Sequence, residues 1–387
     1  MHAVYKSSRP GIDCRHVAVP NDRPPGLPKV RTCLFQRTRS AALDRAARWL
    51  FLALSLAVVS CVSVRKETPA LGRYEYERPE MGVPFRIVLY APDRAGADQA
   101  AEAAFHRVQE LNDIMSDYDA ESELSKLSRT SGQGRQVPVS PDLWLVLERA
   151  QAMAQRSDGA FDITVGPCVN LWRRARRQHQ LPDPNRLAQA RKAVGYRLVR
   201  LNPKGHAVEL LAPGMRLDLG GIAKGYAVEE ALRTLKWLGL SRALIEGGGD
   251  VMVGDPPPGK PAWRIELAPL DVTNGPPDRF LLLKNAAIST SSDLYQRLEI
   301  EGKRYSHIVD PRTGIGLTNH SLVNVIARHG ITADSLTKVV SVLGPGKGLK
   351  LVEATPGAAA RLMREPDGRL ETYESSRFKG YYGTPQK

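Results

Sequence analysis

A glycine-rich segment near the middle of the chain combines a carboxylate, a lysine and unhindered backbone. It covers residues 218–225 and includes Asp218, Gly221 and Lys224. Glycines between a strand and a helix let backbone N–H groups approach a ligand closely, and a helix N-terminus favours an anion such as a phosphate. The segment has neither the Gly-Lys-Ser/Thr of a P-loop nor the spacing of a dinucleotide-binding fingerprint. By itself it is equally compatible with a turn that packs a helix on a strand.

A second candidate is His307, which lies on a predicted strand three residues before an Asp-Pro turn. Histidine is the side chain best able to accept a proton near neutral pH, so His307 is a candidate general base. A lone histidine is more often structural than catalytic, and its neighbours must decide between the two roles.

A third candidate is Asp334, one turn before Thr337 and Lys338 at a predicted helix start. An aspartate at this place commonly caps the helix. It can also be a carboxylate ligand for Mg²⁺, which needs few protein oxygens when substrate phosphates supply others. The sequence alone leaves both roles open.

Three further segments have side chains suited to binding. An aromatic lies beside an acid at Phe161 and Asp162, and hydroxyls cluster at 289–291 after a predicted strand. Either segment can contact a ligand or only stabilise its own fold. A run of four arginines is typical of a solvated helix face: Arg173, Arg174, Arg176 and Arg177.

Helix and strand patterns alternate along the chain after about residue 74 without internal repeats. The apolar periodicity and the breakers predict helices over 96–116, 141–156 with Ser140 as N-cap, 223–238, and 334–343 ending at Gly344. The predicted strands are 85–90, a short one ending at Leu219, a hairpin of 297–300 and 305–309 across 301–304, 322–327, and a pair turning at 366–368. Strands grouped as hairpins indicate an α+β fold with mainly antiparallel sheets, in one unit with two lobes.

The N-terminal segment has the pattern of a lipoprotein signal peptide. Arg45 and Arg48 precede an apolar run over 49–59, which is too short to span a bilayer, and small residues lead to Cys61. This order resembles a bacterial lipobox, in which the cysteine is acylated and becomes the first mature residue. We therefore predict a signal region over 1–60, a lipidated tether over 61–75, a globular domain over 76–387 and a periplasm-facing protein anchored to a bacterial membrane.

The charge distribution and the cysteine spacing argue against nucleic-acid binding and against a cysteine-based metal or redox site. The formal charge is +14, but half of it lies in residues 1–60, so the domain has an ordinary basic balance and no nucleic-acid partner is predicted. The four cysteines are too widely spaced for a Cys-x-x-Cys metal or redox motif. After cleavage only Cys61 and Cys168 would remain, so no intramolecular disulfide is expected.

Taken together and in this order, the motifs resemble the ApbE-type FAD:protein FMN transferases. The resemblance covers roughly residues 78–345 and rests on several separate segments: 81–82, 116–118, 122–125, 160–167, 171–172, 218–225, 289–291, 307–314 and 333–334. It implies an ApbE-like, T-fold-like domain. It also implies an Mg²⁺-dependent enzyme that transfers the FMN half of FAD, through a phosphoester bond, to a Ser or Thr of a redox flavoprotein and releases AMP.

The resemblance assigns a role to individual positions. The FAD-binding site would be lined by Met81, Tyr118, Ala160, Phe161, Asp162, Asp218, Lys224 and Ile308. The metal would be held by Asp334, Thr337 and the carbonyl of Gly221, and His307 would act at the reacting hydroxyl.

The sequence departs from the family pattern at two places. Lys338 stands where the family usually has a threonine, four residues after the metal-binding aspartate. Either Thr337 replaces that ligand, or the ammonium partly substitutes for the charge of the metal. In addition, Arg173 and Arg174 follow Leu171-Trp172 where small or aromatic residues are more usual.

Two other functions remain open from the sequence. A FAD pyrophosphatase would use water in place of the protein hydroxyl and release FMN and AMP. A flavin-binding lipoprotein would store or deliver intact FAD, and weak metal binding caused by Lys338 would favour it.

Overall fold

The computed structural model describes residues 70–267, 269–270, 279–294 and 296–383, and an antiparallel sheet forms its centre. The strands are β1 (Gly72–Glu80), β2 (Val83–Ala91), β3 (Val137–Pro138), β4 (Val199–Asn202), β5 (Ala207–Leu210), β6 (Ala243–Gly247), β7 (Asp250–Val253), β8 (Trp263–Leu267), β9 (Arg279–Leu283), β10 (Ala286–Ser292), β11 (Arg297–Ile300), β12 (Lys303–Ser306), β13 (Val309–Asp310), β14 (Ile315–Gly316), β15 (Ser321–Ala327), β16 (Ala359–Arg364) and β17 (Glu371–Glu374). Eight of them form the main sheet in the order β1-β2-β6-β7-β10-β15-β16-β17. The predicted α+β class is confirmed.

Helices cover one face of this sheet. Within the described ranges the α-helices are α1 (Arg94–Met115), α2 (Glu123–Ser128), α3 (Pro141–Arg156), α4 (Gly166–Gln178), α5 (Pro184–Arg191), α6 (Ala223–Trp237) and α7 (Gly330–Glu353). Helix α6 packs between α1 and α7, and α7 lies against β10, β15 and β16. The N-terminal end of α6 therefore meets the first turns of α7, above the middle of the sheet.

Both faces of the sheet are buried, because successive side chains of a strand point to opposite sides. In β2, Phe85, Ile87 and Leu89 belong to the core shared with the helices. Val88 points to a second core, which the hairpin of β8 and β9 closes with Trp263. A strand with apolar residues on both faces has no solvent-exposed side, which explains the nearly continuous apolar run of β2.

A separate small core holds α4 against the short hairpins that follow the main sheet. It contains Cys168, Trp172, Leu298 and Val309. The Trp172 indole Nε1 donates to the carbonyl of Gly314 at 2.8 Å, which ties α4 to the turn after β13. This second lobe holds the segment of His307 in place.

Several helices and strands lie where local sequence signals predicted them. Helix α3 spans the predicted residues, and the Ser140 hydroxyl accepts from the backbone N–H of Leu143. Helices α1 and α6 and strands β2 and β15 lie within two residues of their predicted bounds. Strand β1 begins at Gly72, inside the stretch predicted as the end of the tether, because alternate residues such as Tyr74 and Tyr76 pack against the core.

The prediction of a helix over 334–343 is wrong at its start and confirmed at its end. Helix α7 begins at Gly330, and its N-cap residue is His329. Gly344 has non-helical backbone angles (φ 68°, ψ −168°) and interrupts α7 after Leu343. A second helical segment begins at Pro345, whose missing N–H costs nothing in a first turn. Asp334 lies in the second turn of α7 and does not cap it.

The strand predicted before the glycine-rich segment is not formed. Residues 217–219 pair with no strand of the described chain. The backbone N–H of Leu217 donates to the Ser128 hydroxyl, and that of Asp218 donates to the carbonyl of Ile163 at 2.7 Å. Side-chain and loop partners satisfy this backbone in place of a sheet.

The predicted hairpin before His307 is tighter than expected. Strands β11 and β12 are joined by Glu301 and Gly302, both with positive φ, as in a type I′ turn. The second strand ends at Ser306, so His307 lies at a bend and not on a strand. Residues 289–291 are likewise inside β10 and not after a strand.

No α-helix in the described ranges is both long and apolar enough to cross a membrane. The predicted signal region, Cys61 and most of the tether lie outside the described residues.

Candidate active site

An ammonium group held by three oxygens lies where α7 meets β10. Lys338 Nζ is 2.7 Å from Ser291 Oγ, 2.9 Å from Asp334 Oδ1 and 3.0 Å from Thr337 Oγ1. Asp334 and Thr337 are fully buried, whereas the Lys338 side chain keeps 18% of its surface exposed. The cation therefore sits at the floor of an accessible site.

Asp334 joins this group to the start of α6. Its Oδ2 accepts from the backbone N–H of Gly225 at 3.1 Å. Burial alone would raise the pKa of Asp334, but the ammonium groups of Lys338 and Lys224 outweigh burial and lower it. The carboxylate is ionised, and its Oδ2 joins α7 to the start of α6.

A second lysine and a second carboxylate complete the cluster. Lys224 Nζ lies 3.5 Å from Asp250 Oδ2 and donates to the carbonyl of Gly220 at 3.3 Å. Burial and the nearby charge of Asp334 raise the pKa of Asp250 to about 6. The positive and negative groups thus alternate along the floor of the site.

Two glycines make this approach possible. A Cβ on Gly225 would lie 2.3 Å from the carbonyl oxygen of Gly330 and 2.7 Å from Asp334 Cβ. A Cβ on Gly221 would lie 3.0 Å from Lys338 Cγ and 3.4 Å from the Phe161 ring. Gly225 brings the two helices into contact, and Gly221 leaves room for the stem of Lys338.

Asp218 forms a second charged group with Arg173 at the edge of the site. Asp218 Oδ1 accepts from the backbone N–H of Gly220 at 2.8 Å, and its Oδ2 accepts from Arg173 Nη2 at 2.9 Å. The same guanidinium pairs with Asp117 and lies 4.3 Å from the centre of the Tyr118 ring. Burial and the charge of Asp117 raise the pKa of Asp218, and Arg173 opposes them.

This geometry corrects the prediction for one of the arginines. Arg173 was expected on a solvated helix face, but its side chain is only 15% exposed and is bound by two buried carboxylates. Arg174 and Arg177 are exposed, as predicted. They line an open depression of about 350 Å³ with Tyr118 and Arg216.

Phe161 and Asp162 lie in a turn stabilised by its own hydrogen bonds. Asp162 Oδ1 accepts from the backbone N–H of Thr164 at 2.9 Å and from its hydroxyl at 2.7 Å. The Thr164 hydroxyl accepts in turn from the backbone N–H of Gly195. Burial raises the pKa of Asp162. Asp162 holds this turn, and the ring of Phe161 lies against Gly221.

His307 is oriented by one carbonyl. Its backbone N–H donates to Gln296 O at 2.9 Å, and its Nδ1 lies 3.2 Å from the same oxygen. Since a carbonyl only accepts, Nδ1 bears the proton and Nε2 keeps a free lone pair. Desolvation, followed by the charges of Lys338 and Arg176, lowers the pKa of His307 to about 3. The imidazole is therefore neutral and within electrostatic range of the lysine cluster.

The sequence model of the ApbE family matches residues 81–362 of this chain. The chain belongs to the ApbE family. It is 30% identical to the FAD:protein FMN transferase of Haemophilus influenzae over 338 residues, which are 85% of this chain and 95% of that protein. It is also 30% identical to the one from Vibrio cholerae over 308 residues, covering 78% and 91% of the two chains.

Solved structures of the ApbE family have the same fold. The flavin transferase ApbE from Vibrio cholerae superposes with a TM-score of 0.71 at 27% identity and covers 80% of this chain and 99% of its own. The ApbE protein from Thermotoga maritima gives 0.71 at 29% identity, with 81% and 100% covered. The single ApbE-like fold predicted from the resemblance is confirmed.

The structure brings together most positions that the ApbE resemblance assigns. Gly221, Lys224, Asp334 and Thr337 surround Lys338, and Phe161 adjoins Gly221. The remaining assigned positions lie farther from this centre: Arg173 contacts both Asp218 and Tyr118, Ala160 and Ile308 are buried, and Met81 lies in the turn between β1 and β2. Their contacts with FAD stay a prediction.

Asp250 and Arg173 are two members of the site whose roles the sequence analysis missed. Asp250 follows three glycines at the turn between β6 and β7, and an acid after such a run was a usable signal. Arg173 lay within a charge run, and no local signal distinguishes it from Arg174.

The side chains at the predicted metal position do not fit Mg²⁺ in their present arrangement. Lys338 Nζ donates to Asp334 Oδ1 and Thr337 Oγ1, which are the two side-chain oxygens assigned to the metal. The Thr337 hydroxyl also donates to the carbonyl of Asp334 at 2.6 Å. An ammonium only donates, so it cannot be a ligand, and a metal on these oxygens would have to displace it.

Proposed function

We propose that this ApbE-family protein transfers the FMN half of FAD to a Ser or Thr hydroxyl of an acceptor flavoprotein. The hydroxyl oxygen forms a bond to the phosphorus of the FMN half, and the bond from that phosphorus to the bridging oxygen breaks. AMP leaves with the bridging oxygen, and the hydroxyl proton passes to a base. The relatives named FAD:protein FMN transferase support this reaction.

The observation that carries the proposal is the pair of lysines on the floor of the site. Lys224 and Lys338 lie among buried carboxylates at the N-terminal end of α6, and both side chains keep about a fifth of their surface exposed. Ammonium groups and a helix N-terminus both favour a pyrophosphate, and both stabilise the charge that develops on the leaving phosphate.

His307 is the base in this proposal. Its Nδ1 proton is engaged with Gln296, so Nε2 is the atom that accepts the proton of the acceptor hydroxyl. With a pKa of about 3, the imidazole of His307 is a weak base in the protein without FAD. Bound phosphates bring negative charge next to the imidazole and oppose the lysines, so FAD itself raises the basicity of His307 when it binds.

The flavin ring is proposed to lie against Tyr118. This ring is 78% exposed, which is unusual for a large aromatic side chain, and Arg173 holds it from one side. A flat, exposed ring in a fixed orientation is suited to stacking with an aromatic ligand.

The acceptor is proposed to meet the protein outside the cytoplasm. The signal pattern before Cys61 supports a lipid anchor on the periplasmic side of a bacterial membrane, with the domain standing off the surface. Labelling with palmitate, compared between the full chain and Cys61→Ala, tests this placement; an unlabelled full chain would reject it.

The experiment that tests the reaction measures the intact mass of an acceptor flavoprotein after incubation with the protein and FAD. We expect a gain of one FMN and an equal amount of AMP, both lost in His307→Ala and retained in His106→Ala, which changes an exposed histidine of α1. Free FMN with AMP and no gain in mass would instead identify a FAD pyrophosphatase. Intact FAD after long incubation would identify a flavin carrier.

A further inference from the structure

Lys338 completes its hydrogen bonds inside the protein. An ammonium group has three protons, and Nζ has three oxygen neighbours within 3.0 Å: Ser291 Oγ, Asp334 Oδ1 and Thr337 Oγ1. The oxygens come from β10 and α7, whose relative position the core fixes. The ammonium is therefore part of a built cation site.

The aliphatic part of the Lys338 side chain passes close to Gly221. Gly221 has no side chain, and a methyl group at that position would approach Lys338 Cγ at 3.0 Å. The lysine thus reaches the oxygens between Gly221 and the body of α7, with its charged end still partly exposed.

The charges of the cluster balance without an added ion. Asp334 and Asp250 are the two buried carboxylates, and Lys338 and Lys224 are the two cations that face them. Without Lys338, two carboxylates would share a single lysine, and a buried surplus of negative charge is costly unless a cation compensates it. With Lys338 present, these four groups carry no net charge before FAD binds.

We infer that Lys338 is a tethered cation that binds the pyrophosphate of FAD and removes the need for a divalent metal in FAD binding. This inference rests on the proposed function for the identity of the ligand. When the pyrophosphate binds, Lys338 exchanges its longest contact, to Thr337 Oγ1, for a phosphate oxygen. Thr337 Oγ1 then retains Ser291 Oγ, 2.9 Å away, as a hydrogen-bond partner.

The first test compares FAD affinity in EDTA and in excess Mg²⁺, measured by the quenching of flavin fluorescence on the full chain. Wild-type protein should bind FAD equally well in both conditions, within about twofold. Lys338→Thr should bind about 10- to 100-fold more weakly in EDTA, the loss expected for one charged hydrogen bond. Mg²⁺ should restore much of that loss, because threonine supplies an oxygen ligand.

Two control variants separate the charge from side effects. Lys350→Thr makes the same exchange on an exposed position of α7 and should behave as wild type. Lys338→Arg keeps a cation and should bind FAD in EDTA within about tenfold of wild type. If Lys338→Thr does not fold, the wild-type comparison alone still tests the inference.

A direct readout of the metal is titration calorimetry of Mg²⁺ into the FAD complex. Wild-type complex should give no saturable heat, whereas the Lys338→Thr complex should bind the ion. A wild-type protein that needs Mg²⁺ to bind FAD, or a Lys338→Thr variant that binds FAD normally in EDTA, would overturn the inference.

The test of Lys338 as a tethered cation can fail or succeed independently of the test of FMN transfer. FAD binding that is independent of Mg²⁺ with no FMN on any acceptor would keep the inference and reject the transferase. FMN transfer with FAD binding that requires Mg²⁺ would keep the transferase and reject the tethered cation.

Discussion

Helices α6 and α7 touch at Gly225 and Gly330, and one added methyl group tests how closely the site depends on that contact. In Gly225→Ala the new Cβ would lie 2.3 Å from the carbonyl oxygen of Gly330 and 2.7 Å from Asp334 Cβ. Both distances are below van der Waals contact. Neither helix can move freely, because α6 is also packed on α1 and α7 on the sheet.

The expected loss of stability can be estimated from three contributions. Alanine is a better helix former than glycine by about 1 kcal/mol, which favours the variant. Overpacking against rigid backbone costs about 3 kcal/mol. Separating the helices also breaks the 3.1 Å bond from the Gly225 N–H to Asp334, which is worth about 2 kcal/mol because the acceptor is charged. The net loss is about 4 kcal/mol, or roughly 8 °C in Tm for a domain of this size.

Urea denaturation of the wild-type protein, Gly225→Ala and Gly346→Ala measures this loss. Gly346 is also within α7, but a Cβ there would meet nothing within 4 Å, so its variant should be as stable as wild type or slightly more stable. A Gly225→Ala protein that unfolds within about 0.5 kcal/mol of wild type would show that the helices separate easily. The account of Gly225 as the contact that positions Asp334 would then be refuted.

Three further predictions concern the charged and aromatic groups. Arg173→Ala should lose about 3 kcal/mol of stability, because two buried carboxylates lose their shared partner, while Arg174→Ala should change little; urea denaturation compares them. The pKa of Asp250 is raised to about 6 from an unfolded value of about 4, so the folded state binds more protons between these pH values, and the contribution of Asp250 to stability should fall as the pH rises through this range. Asp250→Asn should remove that slope from the free energy of unfolding measured at several pH values, and an unchanged slope would assign it to another group. Tyr118→Ala should weaken FAD binding by about fivefold and Tyr118→Phe should not, as judged by flavin fluorescence; equal affinities in both variants would exclude stacking on this ring.

Local signals predicted those elements whose partners are close in sequence. The start of α3 follows from Ser140 and Pro141, because the cap bond joins residues three apart. The hairpin of β11 and β12 follows from Gly302 in the same way. Such features need no knowledge of the rest of the fold.

Distant contacts decided the elements that the sequence analysis placed wrongly. Helix α7 begins at Gly330 because its N–H donates to Glu229 and its bare Cα faces Gly225, about a hundred residues earlier. Asp334 could not be recognised as an interior residue of that helix without these contacts. Residues 217–219 were predicted as a strand because the apolar Leu217 and Leu219 alternate with Asp218, but their backbone partners are Ser128 and Ile163.

The candidate site shows the same division. The residue types that could do chemistry were visible at Asp218, Lys224, His307 and Asp334, and the fold places Asp334 in contact with Lys338 and within the electrostatic range of Lys224. The role of Lys338 was open, because only the positions of Ser291 and Gly221 show that the ammonium has both acceptors and space. Spacing along a chain does not contain that information.

The small core around α4 has a consequence for the redox behaviour of the domain. Cys168 is fully buried there, with its Sγ against the backbone of Gly314, and burial raises the pKa of its thiol to about 11. The thiolate is the form that attacks disulfides, and at pH 7 only about one Cys168 in ten thousand would carry it. Almost no thiolate is therefore present at this position, even in an oxidising environment. Cys168 should resist alkylation and mixed-disulfide formation for as long as the domain stays folded.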